Sequence, residues 1–230
     1  MFGDGLSRRL CSPTLANAMR VLFAILLTLA AVREAAAEDM APELADLRHA
    51  WAKVYYRTPE DQQVAQFAAL KDRADALAAQ HPDAAEPLIL KAIILSTYAE
   101  AKGSLDALAL VEAARDAALQ AAKIDDKAVD AGAYTVLGVL YYKVPGWPIG
   151  FGSNKKARDY LDRARAIAPD AIDVNYFTGD FLLEEGNRDD KKAARAFLEK
   201  ALRAKPRPGR EDEDAGRKRD IEKDLGRIGN

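Results

Sequence analysis

The sequence predicts an all-α fold: a right-handed stack of antiparallel helix hairpins closed by a C-terminal capping helix. Three observations carry that expectation. From Tyr134 to Pro169, two helical segments flank an apolar Gly/Pro-rich loop; Tyr134, Leu137, Gly138 and Tyr141 fall at i, i+3, i+4 and i+7, on one helical face. In the second segment Ala157, Leu161, Ala164 and Pro169 are spaced four, three and five residues apart, and Ala194, Leu198, Ala201 and Pro206 repeat those intervals after Gly179, Phe181 and Leu182. Upstream, turn and breaker signals at Thr58-Pro59, His81-Pro82-Asp83 and Gly103-Ser104 separate further helix-length apolar patterns.

Residues 1–37 read as an export signal. Arg20 supplies the positive start, Val21 to Val32 is a twelve-residue apolar core, and Ala35-Ala36-Ala37 offers a small-residue cleavage site. Twelve residues are too few to span a bilayer, so no stable membrane span is expected after cleavage. An uncleaved anchor is the alternative, and translation starts at Met1 or at Met19. Cleavage near Ala37 would deliver the chain to the periplasm. It would also remove the single cysteine, Cys11, leaving no disulfide and no thiol nucleophile, and move the formal charge from −2 to −4. Acidic and basic residues are interspersed, which argues against a nucleic-acid partner.

Residues 38–82 read as an N-terminal helix pair. Pro42 to Tyr56 carries Leu44, Leu47, Trp51, Val54 and Tyr55 on one side, and Pro59 to about Gln80 carries Val64, Phe67, Leu70, Ala74 and Leu77, with Thr58 as its expected N-cap. Residues 83–206 hold the repeated units. Asp83 with Glu86 suggests a capping box for a helix that is apolar on most faces, and Ala114, Ala118 and Ala121 take the small positions of its partner. Asn154 and Asp170 are the expected caps of later helices. Residues 207–230 are highly charged; acids at Glu211 to Asp214 suit a first helical turn, and Ile221, Leu225 and Ile228 form a narrow apolar edge. This segment is either the capping helix or a flexible tail.

Catalytic signatures are missing from the letters. There is no HExxH, GxSxG or P-loop, and Gly146, Gly150 and Gly152 do not form GxGxxG. His49 lacks a second ligand at metal spacing, and carboxylate pairs such as Asp125-Asp126 read as solvated caps. No enzyme, no metal site and no cofactor is expected. The unusual feature is the loop Val144 to Gly152, with Pro145, Trp147, Pro148, Ile149 and Phe151. Either its apolar side chains plug the corner between two helices, or Trp147 and Phe151 form a lip facing a ligand or partner.

The order aromatic, Leu-Gly, Tyr, then Ala, Leu, Ala and Pro resembles the tetratricopeptide repeat family over about residues 84–206. The units depart from the usual pattern at the inter-helix turn: Gly138 to Ala157 is 19 residues and Gly179 to Ala194 is 15, against about 12 in the family. The corner Tyr141 to Gly146, followed by Gly152 and Lys155-Lys156-Ala157, resembles that of exported bacterial repeat proteins, including the T component of TRAP solute transporters. The resemblance implies a concave face carrying Ile89, Ile93, Ser96, Thr135, Val139, Tyr142, Lys143, Tyr176, Asp180, Leu183 and Glu184. It implies a non-catalytic scaffold binding a protein or peptide there, or, as the alternative, a transporter-associated protein holding a small apolar ligand near the 144–152 loop. A pocket closed around Tyr142 would favour the ligand, and an open groove the scaffold.

Overall fold

The computed structural model of the chain describes residue 23, residues 40–103 and residues 105–228. All of the expected export signal but residue 23, and Ser104 of the Gly103-Ser104 breaker, therefore lie outside the described residues. The chain divides into two units, Met1–Pro42 and Glu43–Asn230. Of the first, only residue 23 and residues 40–42 are described, all helical. The second unit is all-α among its described residues.

Its helices are α1 (43–57), α2 (Glu60–Gln80), α3 (Ala85–Lys102), α4 (Leu108–Ile124, after a 3-10 turn Leu105–Ala107), α5 (Ala128–Lys143), α6 (Asn154–Ile167), α7 (Ile172–Glu185), α8 (Arg188–Leu202) and α9 (Glu211–Ile228). The pairing follows chain order. Hairpins form between α3 and α4, α5 and α6, and α7 and α8; each second helix also touches the next first helix, and α3, α5, α7 and α9 contact one another in sequence. The small residues make this close packing possible. Ala114, Ala118, Ala121, Ala157, Ala164, Ala194 and Ala201 are fully buried. A Cβ at Gly138 would stand 2.7 Å from Leu161 Cγ, and one at Gly179 2.8 Å from Leu198 Cγ, closer than a side chain tolerates.

Helix ends fall where the breakers stand, but the capping residues differ from expectation. Gly103 closes α3 in the left-handed conformation, φ 59°. Pro59 rather than Thr58 caps α2, and α3 begins after Ala84, so neither Thr58 nor Asp83 supplies a side-chain cap. Ser153, not Asn154, caps α6 by accepting from the Lys156 amide; Ala171 precedes α7, while Asp170 pairs with Lys200 at 3.0 Å. The strongest cap lies at Asn187, which forms a reciprocal capping box with Asp190 at the start of α8. α5 opens on a left-handed turn, with φ of 51°, 54° and 59° at Val129, Asp130 and Ala131. Each such L-residue costs about 1–2 kcal/mol, and β-branched Val129 is the least suited.

The two ends of this unit meet. α1 bonds α3 through Trp51 Nε1 to Thr97 Oγ1 (3.1 Å) and pairs with α2 through Arg73 and Asp46 (2.7 Å). It also reaches α9: Tyr56 donates to Asp220 at 3.4 Å, Arg57 pairs with Asp212, and the Tyr56 ring covers Gly216. α9 packs on α7 and α8 and buries Ile221 completely.

Candidate functional site

Because α1 and α9 meet opposite α3, α5 and α7, the space between them is bounded on several sides. It forms a cavity of about 860 Å³, within the range that suits small organic ligands. One part is apolar, walled by Ile89 and Ile93 of α3, Val111 of α4 and Val136 and Val139 of α5. Trp51 and Tyr55 of α1, Ser96, Thr97 and Glu100 of α3 form a second part, and the third is charged, with contributions from α5, α7 and α9.

Two ionic clusters shape the charged part. In the first, Lys143 Nζ lies 3.1 Å from Asp180 and 2.6 Å from Glu184. Burial works to lower the Lys143 pKa, but the two carboxylates prevail and raise it. The Tyr142 hydroxyl donates to Asp180 Oδ2 at 2.5 Å; burial, then the Asp180 charge, push that phenol well above its ordinary range. In the second cluster, Asp173 accepts from Arg207 (2.5 Å) and Arg217 (2.9 Å), with Arg210 at 3.4 Å. Burial opposes ionisation of Asp173, yet the three guanidinium groups hold its carboxyl well below the usual range. Arg217 is itself buried, over the rings of Tyr176 and Phe177 at 4.3 and 4.5 Å. Glu213 and Asp214 complete the cluster with Arg210 and Arg207. It fastens α7 to α9 and the segment before it.

Of the residues expected on the binding face, Ile89, Ile93, Ser96, Thr135, Val139, Lys143, Tyr176, Asp180 and Glu184 line the cavity. Four others do not. Tyr142 is buried against Phe181 of α7, ring centroids 5.4 Å apart, because the neighbouring helix covers that edge of α5, and Leu183 packs in the same core. Phe151 plugs the α5–α6 corner, edge-on to Tyr141 at 5.3 Å with Arg115 over its face at 4.6 Å. Trp147 instead stands 91% exposed at the loop tip, and Ile149, 55% exposed, borders the cavity. The loop thus divides between plug and surface.

Sequence reading missed Trp51, Tyr55, Glu100, Asp173, Arg217 and Asp220 as site residues. Trp51 and Tyr55 carried a signal, an aromatic pair one helical turn apart. The α9 residues carried only a charge pattern, indistinguishable from a solvated face. His49 is exposed and, among the described residues, no group of three or more His, Cys, Asp or Glu side chains is placed to hold a metal. No described helix is long and apolar enough to cross a membrane. Comparison of the chain with protein-family models and with curated proteins returns no match in either.

Proposed function

We infer that this chain is a non-catalytic, exported tetratricopeptide-like binding protein whose central cavity takes a small ligand with an apolar body. The ladder of contacts, first helix to first helix and second helix to next first helix, supports the repeat-stack part of this reading. The observation that carries the ligand reading is the meeting of α1 and α9 through Tyr56–Asp220 and Arg57–Asp212. It bounds the face on which an extended protein partner would lie and leaves a volume of small-molecule size. Export to the periplasm and service beside a solute transporter are part of this reading and rest on the amino-terminal sequence and the loop resemblance.

A second reading has one observation in its favour. Trp147 and Ile149 project from the 144–152 loop, and such side chains anchor protein partners. A scaffold would then use this tip rather than the concave face.

The test is titration of the purified full chain with the neutral dye Nile red. The expected result is saturable binding that Ile93→Trp, which fills the apolar part, weakens at least about tenfold while far-UV circular dichroism is unchanged. Absence of saturable binding, or binding indifferent to Ile93→Trp, overturns the cavity reading. Capture of one defined protein, lost in Trp147→Ala, would then install the scaffold.

A further inference from the structure

The inner face of α3 changes polarity along its length. Ile89 and Ile93 are aliphatic, Ser96 and Thr97 carry hydroxyls, and Glu100 carries a carboxylate, all at cavity-lining positions. From residue 89 to residue 100 the helix rises about 16 Å, the scale of a medium-length aliphatic chain with a polar head. The charged end lacks a dedicated cation. Lys143 is already shared by Asp180 and Glu184 at 3.1 and 2.6 Å. Glu100 has no ion-pair partner among the described residues; its Oε2 accepts a 3.4 Å bond from the Tyr55 hydroxyl. Asp220 approaches from α9 with the same sign, and Arg217, which pairs with it at 3.1 Å, also serves Asp173. Glu100 keeps a face open to solvent; partial desolvation at the cavity wall, reinforced by Asp220, still pushes its carboxyl above the ordinary range, although Lys143, Tyr55 and Arg217 oppose the shift. On the opposite wall Arg227 is taken by Asp224 at 3.0 Å, while Lys223 has no ion-pair partner among the described residues; even so, lining carboxylates outnumber lining cations. Beside Glu100, the Trp51 and Tyr55 rings stack with centroids 5.6 Å apart, and aromatic faces attract cations.

We propose that the cavity takes an amphiphile with an ammonium head, held by Glu100 beside Trp51 and Tyr55, whose aliphatic body runs along α3 over Ile93 and Ile89. This rests on the cavity reading above. A primary amine and a quaternary ammonium share the required charge. A primary head adds N–H donors for Glu100 and Ser96; a quaternary head relies on the aromatic pair.

The experiment is calorimetric titration of the full chain with octylamine, octyltrimethylammonium, octan-1-ol and octanoate. At least one of the two cations binds about tenfold more tightly than octanol, and octanoate binds most weakly. Which cation leads identifies the head. Glu100→Gln removes the preference, bringing the cations to the level of octanol, whereas Glu100→Asp, which keeps the charge, retains it. Octanoate matching the cations, a preference that survives Glu100→Gln, or its loss in Glu100→Asp as well overturns the proposal. Binding of octanol and Nile red without cation preference removes this inference and leaves the cavity reading standing; no binding of any probe removes both.

Discussion

Two carboxylates in this protein have opposite pH consequences: Asp173 is half-buried, whereas Glu100 keeps a solvent-exposed face although its carboxyl is partly desolvated at the cavity wall. Asp173 sits among Arg207, Arg210 and Arg217 and is held below the ordinary carboxylate range. Its contribution to stability is present above the unfolded pKa of about 3.9 and is lost as pH falls through the lower folded value. Asp173→Asn takes the shared anion from three guanidinium groups that keep Asp214, Glu213 and Asp220 as partners, and is expected to cost about 1–3 kcal/mol at neutral pH, measured by urea unfolding. Glu100 has the reverse sign. Its folded pKa is raised by that partial desolvation, so stability falls as pH rises from the unfolded value of about 4.3 through the folded one. Glu100→Gln is therefore expected to raise the melting temperature slightly at pH 7, because solvent screens the exposed carboxylate, and the gain should vanish on acidification to about pH 3, where both states are protonated. An unchanged or lower melting temperature at pH 7 would show that Glu100 is not held against its preference for ionisation. Glycines offer an equally sharp contrast. Gly138→Ala drives a methyl to 2.7 Å from Leu161 Cγ, with an expected loss of about 1–3 kcal/mol. Gly226→Ala meets nothing within 4 Å in a helix, and should gain about 0.5–1 kcal/mol from reduced unfolded-state entropy.

At the scale of elements, the capping box of α8 gives a clean measurement. Asn187 accepts from the amides of Asp189 and Asp190 while its own amide donates to the Asp190 carboxylate. Asn187→Ala is expected to cost about 1 kcal/mol, read as a shift of the denaturation midpoint at constant slope. Helices of this chain were legible because apolar and small residues recur with helical spacing, and because Gly103, Pro59 and Pro169 interrupt that spacing. The Ala-Leu-Ala pattern of α6 and α8 even marked which residues are fully buried. Caps were legible only to within a residue: Ser153 and Asn154, or Asp170 and Ala171, stand side by side, and both polar members can bond nearby amides. The 144–152 loop was half legible. Its apolar composition indicated packing, and Phe151 does pack, but only three-dimensional geometry shows Trp147 carried past the corner into solvent. Ile89, Ile93 and Val139 of the aliphatic part of the cavity followed from the resemblance to the repeat family. Lys143, Asp180 and Glu184 of the charged part followed in the same way, but the Asp173–Arg217 cluster did not, because those two residues are 44 apart and their pairing depends on where α9 docks.

For the whole molecule the decisive contact is between its most distant described parts. Tyr56 and Asp220 are separated by 164 residues, and Arg57 and Asp212 by 155; no local pattern encodes such a junction. It brings α1 across to α9, and with it Trp51 and Tyr55 onto the cavity wall. The junction depends on a glycine. A Cβ at position 216 would lie 2.4 Å from Cγ of the Tyr56 ring, so any side chain there must push α1 and α9 apart or turn the ring out. The ion pair Arg57–Asp212 is partly exposed and contributes only about 0–1 kcal/mol, too little to hold the helices against that wedge. Gly216→Leu is therefore expected to open the junction while the α3–α8 hairpins, which are held mainly by their own helix–helix packing, stay folded. Hydrogen exchange should accelerate in residues 43–57 and 211–228 but not in α3 to α8. Bound Nile red should leave faster, because the wall that encloses it has loosened. Protection lost uniformly would instead mean that α1 and α9 are integral to a single cooperative fold. Unchanged protection would mean that the Tyr56–Gly216 approach does not hold the two helices together.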